Sequence, residues 1–253
     1  MRKDLNEVVL TGDFQPHVSD DGRHVGGRLS TVEHSQADSP DAKQCWHTLV
    51  AVTGAAKESI RHWNPAVPLA CAKGRFRRRE YLVEGQPRYV NEILLFDPVT
   101  VPASAVRRAE IRLEGHLGTR PDIRYTAKGL AVITLSVATN HSRRDRNSPT
   151  GWVKETVWHR ALLFGDEARK KVETLTKGSF VSLSGELTYR PRRRSEDGAV
   201  AEILVKQLTL PDIPATQKER AGAHSMGFDP PAAHPALFTA SNAPLTYAPG
   251  EHF

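Results

Sequence analysis

Several signals of enzymatic chemistry are absent from this chain of 253 residues. It contains no Gly-x-x-x-x-Gly-Lys-Ser/Thr loop for nucleoside triphosphates, no His-Glu-x-x-His zinc-protease pair and no Cys-x-x-Cys. Asp20 and Asp21 are followed by Gly22, and aspartates in such a turn usually make local hydrogen bonds rather than hold a metal. We therefore expect a protein without catalytic residues, cofactor or bound metal.

Cysteine is scarce and long apolar runs are missing. The two cysteines, Cys45 and Cys71, stand in apolar, strand-like surroundings without metal-ligand spacing, which predicts buried, inert thiols in a reducing compartment. No apolar run approaches the roughly 18 residues of a membrane-spanning helix, and the first residues lack the apolar segment of a secretion signal. We expect a soluble, unexported protein of the cytoplasm without membrane contact.

The charge is moderately one-sided. Lys and Arg number 35 against 29 Asp and Glu, which leaves a formal net charge of +6. Such a balance favours a polyanionic partner, but many basic proteins simply have solvated basic faces. Charge alone therefore does not identify a nucleic-acid-binding protein.

The second half of the chain has the clearest strand pattern. Short alternating runs at Glu110–Gly115, Ala131–Ala138 and Lys154–Gly165 are followed by a short helical run and two further strand-like runs. Gly-bounded strands interrupted by one helix indicate a small closed β-barrel rather than a βαβ sheet.

Three stretches of this half resemble the bacterial single-stranded-DNA-binding protein family: Glu110–Leu117, Pro121–Gly129 and Glu155–Gly165. The resemblance implies an oligonucleotide-binding (OB) barrel, which has five strands in a Greek key. It also implies sequence-independent binding and protection of single-stranded DNA in replication, recombination or repair, without catalysis. Family members with one OB fold assemble four chains, so a chain with two folds is expected to form a homodimer.

The first half repeats the landmarks of the second at a nearly constant separation of about 110 residues, which indicates an internal duplication. The matching runs are Asn6–Asp13 with Ala109–His116, Cys45–Val50 with Val157–Leu162, and Asn91–Leu94 with Ala201–Leu204. Each copy also carries a helix-like apolar stripe, formed by Ala56, Ile60 and Trp63 in the first and by Ala168, Val172 and Leu175 in the second.

The expected fold class is therefore all-β with one short helix per domain. We expect a divergent N-terminal OB fold over residues 1–105 and a C-terminal OB fold over 106–213. The remaining residues, 214–253, are rich in Ala and Pro without apolar periodicity and are expected to form a disordered tail.

Binding of single strands requires a basic groove for the phosphates and aromatic faces for the bases. The family resemblance places stacking aromatics at Trp158 and Phe164, although strand aromatics are more commonly part of the core. Arginines gather in the loop 141–152, in the hairpin 189–194 and in its counterpart 75–81, although charge runs are usually solvated. The candidate residues are Trp158, Phe164, Arg143, Arg144, Arg146, Trp152, Tyr189, Arg190, Arg192, Arg193, Arg194, Arg124, Tyr125, Trp46, Arg77, Arg78, Arg79 and Arg88. His47 and His159 each follow a tryptophan on a strand and are expected to be structural.

The chain departs from the family pattern in several places, one of them around Arg192, where an aromatic is expected late in the fourth strand and Tyr189 is the nearest stacking residue. Arg143 or Arg144 stands where members often carry a loop tryptophan. The planar guanidinium groups of arginines would therefore contribute more of the stacking on bases. The corresponding loop of the first copy, residues 33–43, is acidic, which predicts weaker DNA binding by the N-terminal barrel. The terminal Phe253 has only Glu251 as an acidic neighbour, which weakens the expectation that the tail recruits replication and repair proteins.

Other functions stay open at this stage. OB folds also serve as scaffold or loading modules that bind a protein partner, or as subunits of nucleases and RNA-processing enzymes. RNA could replace DNA as the ligand, because stacking and phosphate contacts do not read the sugar.

Overall fold

The chain forms two successive sets of β-strands, each with one short helix. The computed structural model describes residues 4–32, 44–191 and 199–211. The first set comprises β1 (Leu5–Val18), β2 (Val25–Val32), β3 (Gln44–Ala51), α1 (Gly54–Arg61), β4 (Leu69–Val83), β5 (Gln86–Leu95) and β6 (Pro98–Thr100). The second comprises β7 (Arg108–Leu117), β8 (Ile123–Tyr125), β9 (Ala131–Arg144), β10 (Trp152–Phe164), α2 (Gly165–Val172), β11 (Phe180–Pro191) and β12 (Ala199–Thr209).

Strand pairing closes each set into a five-stranded barrel. In the first set, β1 pairs with β2, β2 with β3, β3 with β5, β5 with β4, and β4 returns to β1. The second set repeats this ring as β7, β9, β10, β12 and β11, with β11 pairing back to β7. The parallel pairs, β3–β5 and β10–β12, fall at equivalent places. The predicted all-β fold of two Greek-key OB barrels is confirmed.

The first strands of the two barrels join them into one continuous sheet. β1 and β7 pair antiparallel from Leu5 opposite Glu114 to Thr11 opposite Arg108. Residues 4–211 consequently belong to one compact unit, and the predicted boundary between residues 105 and 106 lies in the connection from β6 to β7. The predicted tail, residues 214–253, lies outside the described residues.

Each barrel is filled by the alternate residues of its strands. In β7 the buried positions include Ala109, Ile111, Leu113 and Leu117, with more exposed residues between them. Gly115 is needed for close approach of two strands, since a Cβ there would lie 2.2 Å from the backbone oxygen of Ala138.

The first barrel shows the same close approach. A Cβ at Gly12 would lie 2.1 Å from the backbone oxygen of Ser30. Gly12 and Gly115 occupy equivalent positions in the two repeated runs, so the duplication detected in the sequence extends to backbone packing.

Both helices are shorter than the apolar stripes suggested. α1 ends at Arg61, and Trp63 follows it, packing edge-on against Phe14 with ring centroids 5.8 Å apart. α2 ends at Val172, and Leu175 is fully buried beyond it. The stripes therefore mark core contacts of a helix and its following turn, because both segments cap a barrel.

Two smaller expectations have different outcomes. Cys71 is fully buried, and burial raises the pKa of its thiol, whereas Cys45, near the start of β3, is only partly buried. The aspartate turn does make local bonds: Asp21 Oδ1 accepts from Ser19 Oγ at 2.5 Å and from the Arg23 amide at 3.0 Å.

Candidate nucleic-acid interface

The outer face of β10 carries a row of exposed aromatic side chains. Trp152, Trp158 and Phe164 are each six residues apart, and all three are exposed, with 37% of Trp158 accessible. The odd-numbered positions around Trp158, at Val157, His159, Ala161 and Leu163, are buried, whereas Val153 and Glu155 nearer the hairpin are half-buried. At about 3.3 Å per residue, neighbouring aromatics lie up to about 20 Å apart along the strand. The row is a surface on which unpaired bases could stack.

Trp158 is held in place by a glycine of the neighbouring element. Its indole lies so close over Gly118, just after β7, that a Cβ there would come within 2.4 Å of Cζ3. The amide of Gly118 donates to the backbone oxygen of Ser136 at 2.9 Å, which fixes the backbone beneath the ring. Gly118 therefore determines how closely the Trp158 indole approaches the backbone beneath it and how the ring is tilted.

The hairpin between β9 and β10 is longer, and its loop shorter, than the sequence suggested. Residues 141–144 and Trp152 belong to paired strands, with Trp152 opposite Arg144, so the loop spans only residues 145–151. The Arg144 guanidinium lies over the Trp152 ring, 5.3 Å from its centroid. Cross-strand pairs of this kind explain why the ladder extends into the predicted loop.

Arg143 is engaged by carboxylates. It forms an ion pair with Glu155 and another with Asp145 at 3.1 Å. Burial raises the pKa of Glu155, but hydrogen bonds and charges from Arg143 and His141 outweigh burial and lower it overall. Arg146 is exposed in the loop itself. The hairpin keeps a basic tip while part of its charge is neutralised at the base.

Each barrel ends in an arm formed by its last hairpin, and each arm contains a buried carboxylate bound by two arginines. On the first arm, β4–β5, Glu92 is only 3% exposed and receives hydrogen bonds from Arg77 and from Arg79 Nε at 2.9 Å. Burial raises the pKa of Glu92, but the bonds from Arg79 and Arg77 lower it further than burial raises it. On the second arm, β11–β12, Glu202 accepts from Arg160 Nε at 2.9 Å and from Arg190 Nε at 3.2 Å.

These pairs change the interpretation of the basic runs. Arg77, Arg79 and Arg190 are partly exposed, yet each compensates a buried negative charge. Their predicted contact with nucleic acid stays a prediction.

The arms also cross between the barrels. Tyr189 of the second arm packs on His47 of the first barrel, with ring centroids 5.3 Å apart and its hydroxyl 3.3 Å from His47 Nδ1. Phe76 of the first arm packs on His159 of the second barrel at 5.6 Å. Burial raises the pKa of the Tyr189 hydroxyl, and the structure places this predicted stacking residue at the junction of the barrels.

The two histidines have the structural environment expected for them. His47 Nε2 lies 2.9 Å from Thr31 Oγ1, and His159 Nε2 lies 2.8 Å from Thr139 Oγ1. Burial lowers the pKa of each histidine to about 3. Both imidazoles are therefore neutral packing groups at neutral pH.

The first barrel has a reduced version of the aromatic row. Trp46 is exposed on β3, equivalent to Trp158, and the guanidinium of Arg28 lies 5.6 Å from its ring centroid. The position of the first barrel that is equivalent to Phe164 lies near Val52 and Thr53. Thr53 caps α1, because its side chain accepts a hydrogen bond from the Ala56 amide at 3.0 Å. Strand β3 of the first barrel thus carries one exposed aromatic, Trp46, where β10 of the second carries three.

The remaining predicted residues are scattered around these features. Arg124 and Tyr125 are exposed on β8, Arg78 is exposed on β4, and Arg88 is half-buried on β5. Arg192, Arg193, Arg194, the acidic loop 33–43 and Phe253 lie outside the described residues.

Sequence reasoning did not single out Gly118, Arg28, Glu92 or Glu202. The two glutamates could have been found from the repeat, because each opens the same Glu-Ile-Leu run in otherwise apolar strand sequence. Gly118 and Arg28 have no comparable signal, since their contacts are made to distant parts of the chain.

Clusters of metal-binding side chains and membrane-crossing helices are both absent from the described part of the chain. No group of three or more His, Cys, Asp and Glu side chains comes together there in a way that could hold a metal ion. None of the described helices is long and apolar enough to cross a membrane.

Comparisons with known proteins agree with this geometry. Residues 109–211 match the model of the Single-strand binding protein family. The wild-type single-stranded DNA binding protein from Thermus aquaticus superposes with a TM-score of 0.62 at 17% identity, over 84% of this chain and 95% of that one. A deletion variant of the same Thermus aquaticus protein superposes with a TM-score of 0.61 at 18% identity, over 85% of this chain and 99% of that one.

The structural likeness covers both barrels, and the family match covers the second, where the aromatic row lies. The second barrel is therefore the part of the chain that is similar to the single-strand binding protein family.

Proposed function

We propose that this chain binds single-stranded DNA without sequence preference and protects it during replication, recombination or repair. The observation that carries the proposal is the exposed row of Trp152, Trp158 and Phe164 on β10 of a family-type barrel. The strand-2 and strand-3 face of an OB fold is its usual oligonucleotide surface, and β9 and β10 are those strands. Each stacked base contributes about 1–3 kcal/mol, largely regardless of its identity.

Basic groups beside the row would hold the phosphates. Arg144 lies against Trp152, Lys154 is exposed on the same face of β10, and Arg146 is exposed at the hairpin tip. Because phosphate contacts release counterions, the affinity should fall steeply as salt rises. Binding of this kind requires no catalytic step, and it would take place where the cell's DNA lies, in the cytoplasm.

Fluorescence anisotropy of a labelled oligothymidylate tests the proposal. Wild-type protein should bind the single strand, an excess of duplex should compete poorly, and Trp158→Ala should weaken binding by about tenfold, within the range for one stacked base. Tyr81→Ala is the matched control, since Tyr81 is as exposed as Trp158 but lies on the first arm.

The alternative functions give different results in the same assay. Equal or tighter binding of oligouridylate would make RNA the ligand. No binding of either single strand would favour the scaffold function, and degradation of the oligonucleotide with divalent metal would favour a nuclease.

We also propose that two chains associate, so that the assembly presents four barrels. The proposal rests on the presence of two barrels in one chain and on the four barrels that one-barrel family members assemble. Mass photometry should give a particle of twice the 28.0 kDa chain mass. A particle of the chain mass at all concentrations would overturn it. Recruitment of replication or repair proteins by the tail stays a prediction, since the tail lies outside the described residues.

A further inference from the structure

A cleft of about 160 Å³ lies where the two barrels meet, and both barrels contribute its walls. Trp158 and Arg160 come from β10, whereas Arg78, Tyr89 and Asn91 come from the arm of the first barrel. A cavity needs only about 10–15 Å³ to hold one water, so this cleft has room for a ring-sized group. The proposed stacking row opens directly into it, because Trp158 belongs to both.

The first wall is the aromatic ring of Trp158. Trp158 rests on Gly118, which limits how far the indole can sink, and it is partly exposed. A strand stacked along β10 would therefore arrive at the mouth of the cleft with a base already against this ring.

The second wall is a second aromatic ring with a cation over it. The Arg78 guanidinium lies 4.1 Å from the centroid of the Tyr89 ring, well within the range of a cation–π contact. Strand pairing places both on the same face of the arm, since Arg78 is opposite Asn91 and Glu80 is opposite Tyr89. Arg77 and Arg79 point to the other face, toward Glu92, so Arg78 is the arginine of this run that lines the cleft.

A hydrogen bond between the arms closes one side of the cleft. Asn91 Nδ2 donates to the backbone oxygen of Ala199 at 2.8 Å, which ties the first arm to the second. The cleft thus combines two aromatic rings with two arginines, an amide and apolar side chains. Arg160 is paired with Glu202, and Arg78 lies over the Tyr89 ring. The cleft therefore offers stacking surfaces with nearby hydrogen-bonding groups, which is how proteins hold unpaired bases.

We propose that the cleft binds one unpaired base of the bound strand, between Trp158 and the Tyr89–Arg78 pair. This inference rests on the proposed function and adds to it a base subsite formed by both barrels of one chain. The strand then contacts the second barrel and the arm of the first barrel within a single chain.

A matched pair of variants tests the subsite in the full-length protein. Tyr89→Ala removes the ring under Arg78 on the cleft face. Tyr81→Ala removes the ring under Arg79, 5.6 Å from its centroid, on the opposite face of the same arm. In anisotropy titrations with oligothymidylate, Tyr89→Ala should weaken binding by about fivefold to tenfold, within the range for one base, and Tyr81→Ala should bind as wild type does.

Photocrosslinking of the wild-type protein provides a second measurement that does not depend on a variant folding. Oligothymidylate carrying a single iodouracil should crosslink to Tyr89 and Trp158, identified by mass spectrometry of the peptides.

The outcomes separate the two proposals. If wild-type protein fails to bind oligothymidylate, the proposed function is wrong. If it binds but the two tyrosine variants behave alike and Tyr89 gives no crosslink, the base subsite is wrong and the function stands. If Tyr89→Ala is misfolded by circular dichroism, the crosslink to wild-type Tyr89 decides.

Discussion

Adding one methyl group beneath Trp158 should weaken DNA binding without weakening the fold. In Gly118→Ala the new Cβ would lie 2.4 Å from Cζ3 and 2.8 Å from Cη2 of the indole. Carbon atoms pack at about 3.5–4.0 Å, so the ring has to move outward by about 1 Å. The ring can move because it lies at the surface, so the free energy of unfolding should change by less than about 1 kcal/mol. A displaced ring loses part of the roughly 1–3 kcal/mol of a stacked base, and we expect about fivefold weaker binding.

Gly54→Ala is the control for this prediction, because a Cβ at Gly54 meets no heavy atom within 4 Å. Both variants would be titrated with labelled oligothymidylate, and their unfolding followed in urea. Wild-type affinity in Gly118→Ala would refute the conclusion that Trp158 stacks a base from the position seen here. A large loss of stability in Gly118→Ala would show that the indole cannot move as argued.

Three further predictions concern the buried polar groups. Burial lowers the pKa of His47 and His159 from 6.5 to about 3. Between these two pH values the unfolded chain therefore binds more protons than the folded chain does. The free energy of unfolding should therefore fall as the pH drops below 6.5, by up to about 1.4 kcal/mol per pH unit for each histidine. Glu92→Gln should lower the free energy of unfolding by about 1–2 kcal/mol, a limited loss because its arginine partners are partly exposed. The same change should steepen the salt dependence of DNA binding. Tyr189→Phe should lower stability by about 1 kcal/mol through the lost contact to His47 and leave affinity unchanged.

Each of these has a control and a contradicting result. His24→Gln alters an exposed histidine and should keep the acid profile, whereas stability independent of pH below 6.5 would contradict the buried neutral imidazoles. Glu84→Gln makes the same charge change at the exposed hairpin turn and should leave stability as it is. If Tyr189→Phe instead reduced affinity as much as Trp158→Ala does, Tyr189 would belong to the DNA surface rather than to the junction.

The repeat and the strand alternation could be predicted from the sequence because both are local patterns. A tryptophan followed by a histidine on a strand places the two side chains on opposite faces, and Trp46–His47 and Trp158–His159 follow this rule. The mirrored runs predicted two similar barrels, which the matching strand rings confirm.

The contacts that assemble the interface could not be predicted, because they join residues far apart in sequence without a periodic signal. The pairing of β1 with β7 and the packing of Tyr189 on His47 depend on how one barrel is placed against the other. The ion-pair partners of the basic runs could not be predicted for a related reason. Whether an arginine faces solvent or a buried carboxylate such as Glu92 depends on cross-strand register, which composition does not contain.

The most direct test is the fluorescence of a protein in which Trp158 is the sole tryptophan, with Trp46, Trp63 and Trp152 replaced by Phe. Titration with oligothymidylate at low salt should quench its emission strongly, and added salt should reverse the quenching as the strand dissociates. Unchanged emission at concentrations where anisotropy shows the oligonucleotide bound would place the DNA elsewhere and contradict the assignment of the β10 face.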